Sequence, residues 1–129
     1  MSFIRIEKGV ESPYVGLNQP TRVILYLFNE LEIPVLATVV DELPEKARLV
    51  DKTRFKQIGR MLVCDVILGP GVATLSYTIA YERDAEGYLP SAKLKVGRFV
   101  TASERPYQRT LRISSSWLEL LGWGRSVEA

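Results

Sequence analysis

Histidine is absent from the chain, and cysteine occurs once, at Cys64. The first absence removes Ser-His-Asp and Cys-His nucleophilic triads and the commonest general base of neutral pH. The second removes an internal disulfide and thiolate-rich zinc sites, so the fold has to stand on packing and hydrogen bonds, which suits a reducing compartment. Long apolar runs are missing too. Val23 to Phe28 is short and Met61 to Leu68 is broken by Asp65, both far from the roughly 20 residues of a membrane-spanning helix. The opening Met-Ser-Phe-Ile-Arg-Ile-Glu-Lys lacks the charged, apolar, small-residue order of a secretory signal, so the chain is expected to stay where it is made, in the cytoplasm or in a virion. No phosphate cradle is present, because Gly69-Pro70-Gly71 is short and joins two strands, and no cofactor is expected. Two Asn and three Gln stand against eleven Glu and eleven Arg, a bias that resembles proteins of heat-loving microbes, archaeal ones and their viruses included.

What remains is an ordinary globular composition. The chain has 129 residues, 47% of them hydrophobic and 25% charged, which is the size of one domain with enough apolar matter for a core. A net charge of +2 hides an uneven distribution. Residues 46–60 and 93–112 each carry six basic side chains and one acidic, whereas the first 45 residues carry three basic and seven acidic. Mixed fields of this kind fit a protein partner at least as readily as a nucleic acid.

The clearest pattern is alternation from Val72 to Glu82, with Ala73, Leu75, Tyr77, Ile79 and Tyr81 on one face and Thr74, Ser76, Thr78 and Glu82 on the other. Met61 to Leu68 alternates likewise, placing Leu62, Cys64, Val66 and Leu68 together. With Gly69-Pro70-Gly71 between them, the two runs read as a hairpin. Thr21 to Phe28 and Pro34 to Val40 read as central strands, and Lys93 to Val96 and Tyr107 to Ser114 as strands with one wet face, Leu111 and Ile113 opposing Thr110 and Arg112. Phe3 to Lys8 and a short Ala47 to Val50 complete seven or eight strands. After Ser114 a serine cap and the run Trp117, Leu118, Leu120, Leu121 indicate a short helix ending at Gly122. The pattern thus divides the chain into a sandwich over residues 1–113 and an apolar appendage over 114–129.

From Arg22 to Val96 the residues follow a known order. Asn29 ends the first long strand, Asp41, Leu43 and Pro44 form an Asp-x-Leu-Pro corner, Gly69-Pro70-Gly71 a turn, and Leu75-Ser76-Tyr77 a Leu-x-Tyr strand. In this the chain resembles the immunoglobulin-like repeat of archaeal and bacterial surface proteins, in the style of CARDB repeats, a domain of unassigned function. With Tyr81 and Gly87-Tyr88-Leu89-Pro90 it also looks like the β-domain that precedes a von Willebrand-type domain in some membrane-anchored prokaryotic proteins. The resemblance implies an immunoglobulin-like antiparallel β-sandwich. It departs from the family in its single copy and in Glu45, where a glycine commonly follows Leu-Pro. On physical grounds, Leu43-Pro44 stops a strand, Asp41 can accept local N–H groups at that corner, and Tyr77 and Tyr81 place hydroxyls at the end of the sandwich.

Cys64 falls on an apolar face and reads as an unreactive core thiol. Asp41 with Glu42, Glu30 with Glu32, and Glu82, Asp84 and Glu86 are the carboxylate groupings that could make a glycosidase pair or a calcium site; the last lacks the ligand spacing of a calcium loop and reads as a solvated hairpin tip, and no metal is expected. The basic blocks bring Arg54, Lys56, Arg60, Arg98, Arg109 and Arg112 as candidate phosphate contacts, with Phe55, Phe99 and Tyr107 as stacking surfaces. A solvated strand face accounts for the same residues and is preferred. Trp117, Leu118, Leu120, Leu121 and Trp123 form the candidate interaction segment, docking on the chain's own sandwich or on a second copy, with attachment to a membrane surface less favoured because the segment carries no basic face. The expectation is therefore an all-β, non-enzymatic structural or protein-interaction module of a virion or cell envelope, meeting a protein partner or associating with itself. A nucleic-acid-binding accessory protein is the competing class.

Overall fold

In the computed structural model, which describes residues 3–111, every regular element is a strand. The alternation of β1 (Ile4–Val10), β3 (Thr21–Asn29) and β8 (Gly71–Tyr81), together with β5 (Ala47–Asp51), builds a four-stranded antiparallel sheet in the order β1-β3-β8-β5. A second sheet holds β4 (Val35–Glu42), β6 (Lys56–Ile58), β7 (Met61–Leu68), β10 (Lys93–Val96) and β11 (Phe99–Ala102), in the order β11-β10-β4-β7-β6. Three short strands, β2 (Tyr14–Gly16), β9 (Glu86–Tyr88) and β12 (Tyr107–Leu111), make a small third sheet in the order β2-β12-β9, in which β2 and β12 run parallel.

The inward residues of the two large sheets form one core. Val23, Leu25 and Leu27 of β3 and Leu75, Tyr77 and Ile79 of β8 belong to the same buried cluster as Ala37, Val39, Leu62, Cys64, Val66, Leu68 and Leu94 from the second sheet. Phe55 closes it edge-on against Tyr77, with ring centroids 5.6 Å apart.

Several expectations need correction. The runs around Gly69-Pro70 are not a hairpin: β7 pairs with β4 and β6, while β8 pairs with β3 and β5. Both strands carry one fully apolar face, and pairing them in a single sheet would leave those faces side by side instead of opposed. The corner therefore carries the chain from one sheet to the other, with Gly71 at φ +104°. The strand count is twelve among the described residues, not seven or eight. The surplus is mainly three- and four-residue pieces, too short for a period of two to show. On β12 the wet and dry faces are reversed, since Gln108 and Thr110 are buried and Leu111 is 45% exposed. The buried polar groups there are hydrogen-bonded: Gln108 to Tyr81 and Ser12, Thr110 to Ala85. Ile113, Arg112 and the helical tail lie outside the described residues.

The Leu43-Pro44 corner behaves as read, with one addition. Lys46 takes the left-handed conformation, φ +66°, that the turn after Leu-Pro requires. Arg60 holds the corner by donating to the carbonyls of Pro44 and Ala47. Asn29 fixes the opposite end of the sandwich. Its amide donates to the carbonyls of Ile33 and Leu68 at 3.0 Å each, and its Oδ1 accepts the Leu31 N–H at 2.9 Å.

Candidate interaction face and buried polar cluster

Each strand of a sandwich presents one face to the core and one to water, so the outer faces of the two sheets are the broad surfaces on offer. On the outer face of the four-stranded sheet Arg5 lies 4.0 Å over the Phe28 ring and donates to Glu30 at 2.8 Å, and the apolar Tyr26 and Val72 are interleaved with Thr74, Ser76 and Thr78.

The outer face of the five-stranded sheet differs. Leu36 on β4 stands opposite Ile67 on β7, and the two are 72% and 79% exposed. Val40 faces Val63, and Met61 faces both Glu42 and Ile58. These apolar side chains fall in two patches, Leu36 with Ile67 and Val40 with Val63 and Met61. Between the patches runs one polar row in which Lys95 of β10 pairs with Thr38 of β4, which pairs with Asp65 of β7, the Thr38 hydroxyl donating to Asp65 at 2.7 Å. Lys93, beside Val40, and Lys56, beside Val63, add two more cations. Among the described residues none of the three lysines lies within ion-pair distance of a carboxylate.

The candidate phosphate contacts are not gathered on one surface. Lys56 lies on β6, at one edge of the five-stranded sheet, and Arg98 in the β10–β11 turn at the other edge, four strand spacings or roughly 19 Å away. Arg109 sits on β12 in the third sheet, Arg54 precedes β6, and Arg60 is committed to the Pro44 corner. Phe55 is buried against Tyr77, and the Tyr107 hydroxyl donates to Glu86. Arg112 and the tail residues Trp117, Leu118, Leu120, Leu121 and Trp123 lie outside the described residues. Cys64 is in the core, where burial pushes its thiol up from the ordinary range against the pull of Arg54.

A feature that the reading of the sequence passed over lies inside the sandwich. Lys8 on β1 and Asp41 on β4 meet across the two sheets, Nζ to Oδ1 at 2.8 Å, both side chains without solvent exposure. Nζ also donates to the Pro90 carbonyl at 2.6 Å, the Tyr77 hydroxyl donates to Asp41 Oδ2 at 2.6 Å, and the Glu42 N–H reaches Oδ1 at 2.9 Å. Burial pushes the Lys8 amine down from its usual range, with Asp41 opposing, and pushes the Tyr77 hydroxyl far up, with Asp41 adding to the rise. Asp41 is thus a central polar group rather than only a corner acceptor. The signal was there: Ile4, Ile6, Lys8 and Val10 share one face of a period-two run, which sends a lysine inward.

Beside this cluster, a polar cleft of about 340 Å³ is lined by Glu42, Lys46, Tyr81, Glu86, Arg105 and Gln108, among others. Among the described residues no three His, Cys, Asp or Glu side chains converge as a metal site would require, and no helix is long and apolar enough to cross a membrane.

No protein-family profile matches the sequence, and no curated protein matches it. Solved structures do. A portion of alpha-2-macroglobulin from Escherichia coli, spanning domain MG7 to the C-terminus, superposes with a TM-score of 0.65 at 14% identity over 86% of this chain, which spans about a quarter (24%) of that longer one. A non-cellulosomal cohesin from the hyperthermophilic archaeon Archaeoglobus fulgidus matches with a TM-score of 0.56 at 10% identity, covering 84% of this chain and 92% of its own. The seventh ScaB type I cohesin from Pseudobacteroides cellulosolvens matches with a TM-score of 0.50 at 7% identity, covering 85% and 94%. At these identities the likeness is one of fold, and the chain is an all-β, immunoglobulin-like sandwich.

Proposed function

We propose that this domain is a non-enzymatic protein-interaction module that associates with a second copy of itself through the outer face of its five-stranded sheet. The likeness to two cohesins, which match over nearly their whole length, supports an interaction role. The observation that carries the choice of face is the exposed pair Leu36 and Ile67 with its flanking row Lys95, Thr38, Asp65.

Charge placement selects the occupant. A two-fold axis parallel to β4 and lying in the contact plane leaves each residue of β4 facing its own copy and exchanges β10 with β7. Lys95 of one copy then meets Asp65 of the other, and Leu36 meets Leu36 beside Ile67. The five strands hold 27 residues, which at about 3.3 Å rise and about 4.8 Å spacing give a face of roughly 430 Å² a side. Two such faces bury roughly 860 Å² in total, the size of a weak, reversible contact.

Sedimentation of the full chain tests this. The wild type is expected to be a dimer, Ile67→Asp a monomer with an unchanged circular dichroism spectrum, and Lys95→Asp weaker in self-association. Combining Lys95→Asp with Asp65→Lys should restore dimerisation, and deletion of residues 112–129 should leave the dimer intact. A wild type that stays monomeric at high concentration, or a dimer lost only on tail deletion, would overturn the assignment.

A further inference from the structure

Two sheets of a sandwich are ordinarily held together by apolar contact alone. Here a lysine from one and an aspartate from the other are pressed together in a space that excludes water. The Lys8 nitrogen and the Asp41 carboxyl share a 2.8 Å hydrogen bond along which a proton can pass from Nζ to Oδ1. An amine held against a carboxylic acid has the reactants of an amide bond in place. In water the bulk solvent opposes condensation, and the sandwich interior keeps it out while fixing the geometry.

We propose that Lys8 and Asp41 condense within the folded domain to form an amide bond between Nζ and the side-chain carbonyl carbon of Asp41, joining β1 to β4 covalently. Nζ is aimed by its hydrogen bond to the Pro90 carbonyl and attacks the carbon that bears Oδ1. Charge then develops on Oδ2, where the Tyr77 hydroxyl already donates at 2.6 Å, as an oxyanion donor must. Oδ1 holds the first proton received from Nζ, takes a second from the same nitrogen, and leaves as water. The C–N bond forms, the C–Oδ1 bond breaks, the amide nitrogen keeps one hydrogen, and no oxidant, metal or cofactor enters. Tyr77 touches the reacting carboxyl and is assigned the oxyanion role. The bond closes the chain between residues 8 and 41, so that β1, an edge strand of its sheet, can no longer peel from β3 without carrying β4 along.

The test is the mass of the denatured full chain after purification and prolonged incubation in the folded state. The expected mass is lower than that of the sequence by one water, and Lys8→Arg is expected to return the full mass whether or not it folds well. A wild-type chain at its full sequence mass overturns the proposal, as does a water loss that persists in Lys8→Arg, since it would then arise elsewhere. Tyr77→Phe, checked for folding by circular dichroism, is expected to show a lower linked fraction at early times. Linkage as fast as in the wild type would remove Tyr77 from the reaction.

Discussion

Gln108 is the polar hinge between the third sheet and the sandwich, and its removal has a calculable cost. It is buried on β12, its Oε1 accepts the Tyr81 hydroxyl at 2.8 Å, and its Nε2 donates to the Ser12 carbonyl at 2.9 Å. Gln108→Ala deletes two hydrogen bonds of about 1 kcal/mol each and leaves the buried Tyr81 hydroxyl without its partner, a penalty of about 1 to 3 kcal/mol in place of a net gain. The total expected is about 2 to 4 kcal/mol. Tyr81→Phe takes away only the donor, and the Gln108 oxygen keeps some freedom to turn, so about 1 to 2 kcal/mol is expected. In the double variant the hydroxyl that would be stranded is gone, and the two costs should fall short of their sum by about 1 kcal/mol. Urea unfolding of the four proteins measures all three quantities, and Gln108→Ala should also lower the melting temperature by roughly 4 °C per kcal/mol. Strict additivity, or a cost below about 0.5 kcal/mol for Gln108→Ala, would show that the third sheet is not tied to the sandwich through this bond.

Other outcomes follow from the same structure. Asn29→Ala strips three hydrogen bonds from a buried loop anchor and is expected to destabilise by about 2 to 4 kcal/mol in the same assay. The native Cys64 thiol should label slowly with a soluble alkylating reagent and quickly in denaturant, because burial holds it protonated and covered. Tyr81 is pushed up to about 12 by burial, and Tyr77 is raised further. Neutral forms favoured by the fold stabilise it fully below the ordinary tyrosine range, near pH 10, and that contribution is lost as pH climbs toward 12, because the unfolded chain gives up its protons first. Ultraviolet titration should therefore show two of the six tyrosines ionising only with unfolding.

Much of the architecture was legible because alternation is enforced by water. Met61 to Leu68 is a strand with the expected residues inside, and Val72 to Tyr81 is one with Leu75, Tyr77, Ile79 and Tyr81 inside, although Ala73, expected on that face, is exposed and Ala80 on the other face is buried. What alternation does not encode is the partner of each strand. Two apolar faces in sequence look the same whether they lie side by side or oppose each other, and Gly69-Pro70-Gly71 serves either as a hairpin turn or as a corner between sheets. Gln108 and Thr110 misled for a related reason. Their polarity pointed to water, yet Tyr81, Ser12 and Ala85 supply the hydrogen bonds that water would have made. Lys8 was the opposite case, since its period placed it inside and only its charge argued otherwise. The apolar patch of Leu36 and Ile67 needed the register of β4 and β7, for neither residue stands out in its own strand.

The parallel pairing of β2 with β12 sets an order in time. Tyr14–Gly16 leaves the ribosome well before the strand it must lie beside, Tyr107–Leu111, which is the last that the structure describes. Until that strand emerges, the Tyr81 hydroxyl has no glutamine to meet and the Ser12 carbonyl no amide. Pairings so distant along the chain are slow to find, in the range of milliseconds to seconds for sandwiches of this size. The nascent domain thus waits with one end of its core open, and a chain that stops short of residue 107 is expected to be taken by proteases although both of its large sheets can already form.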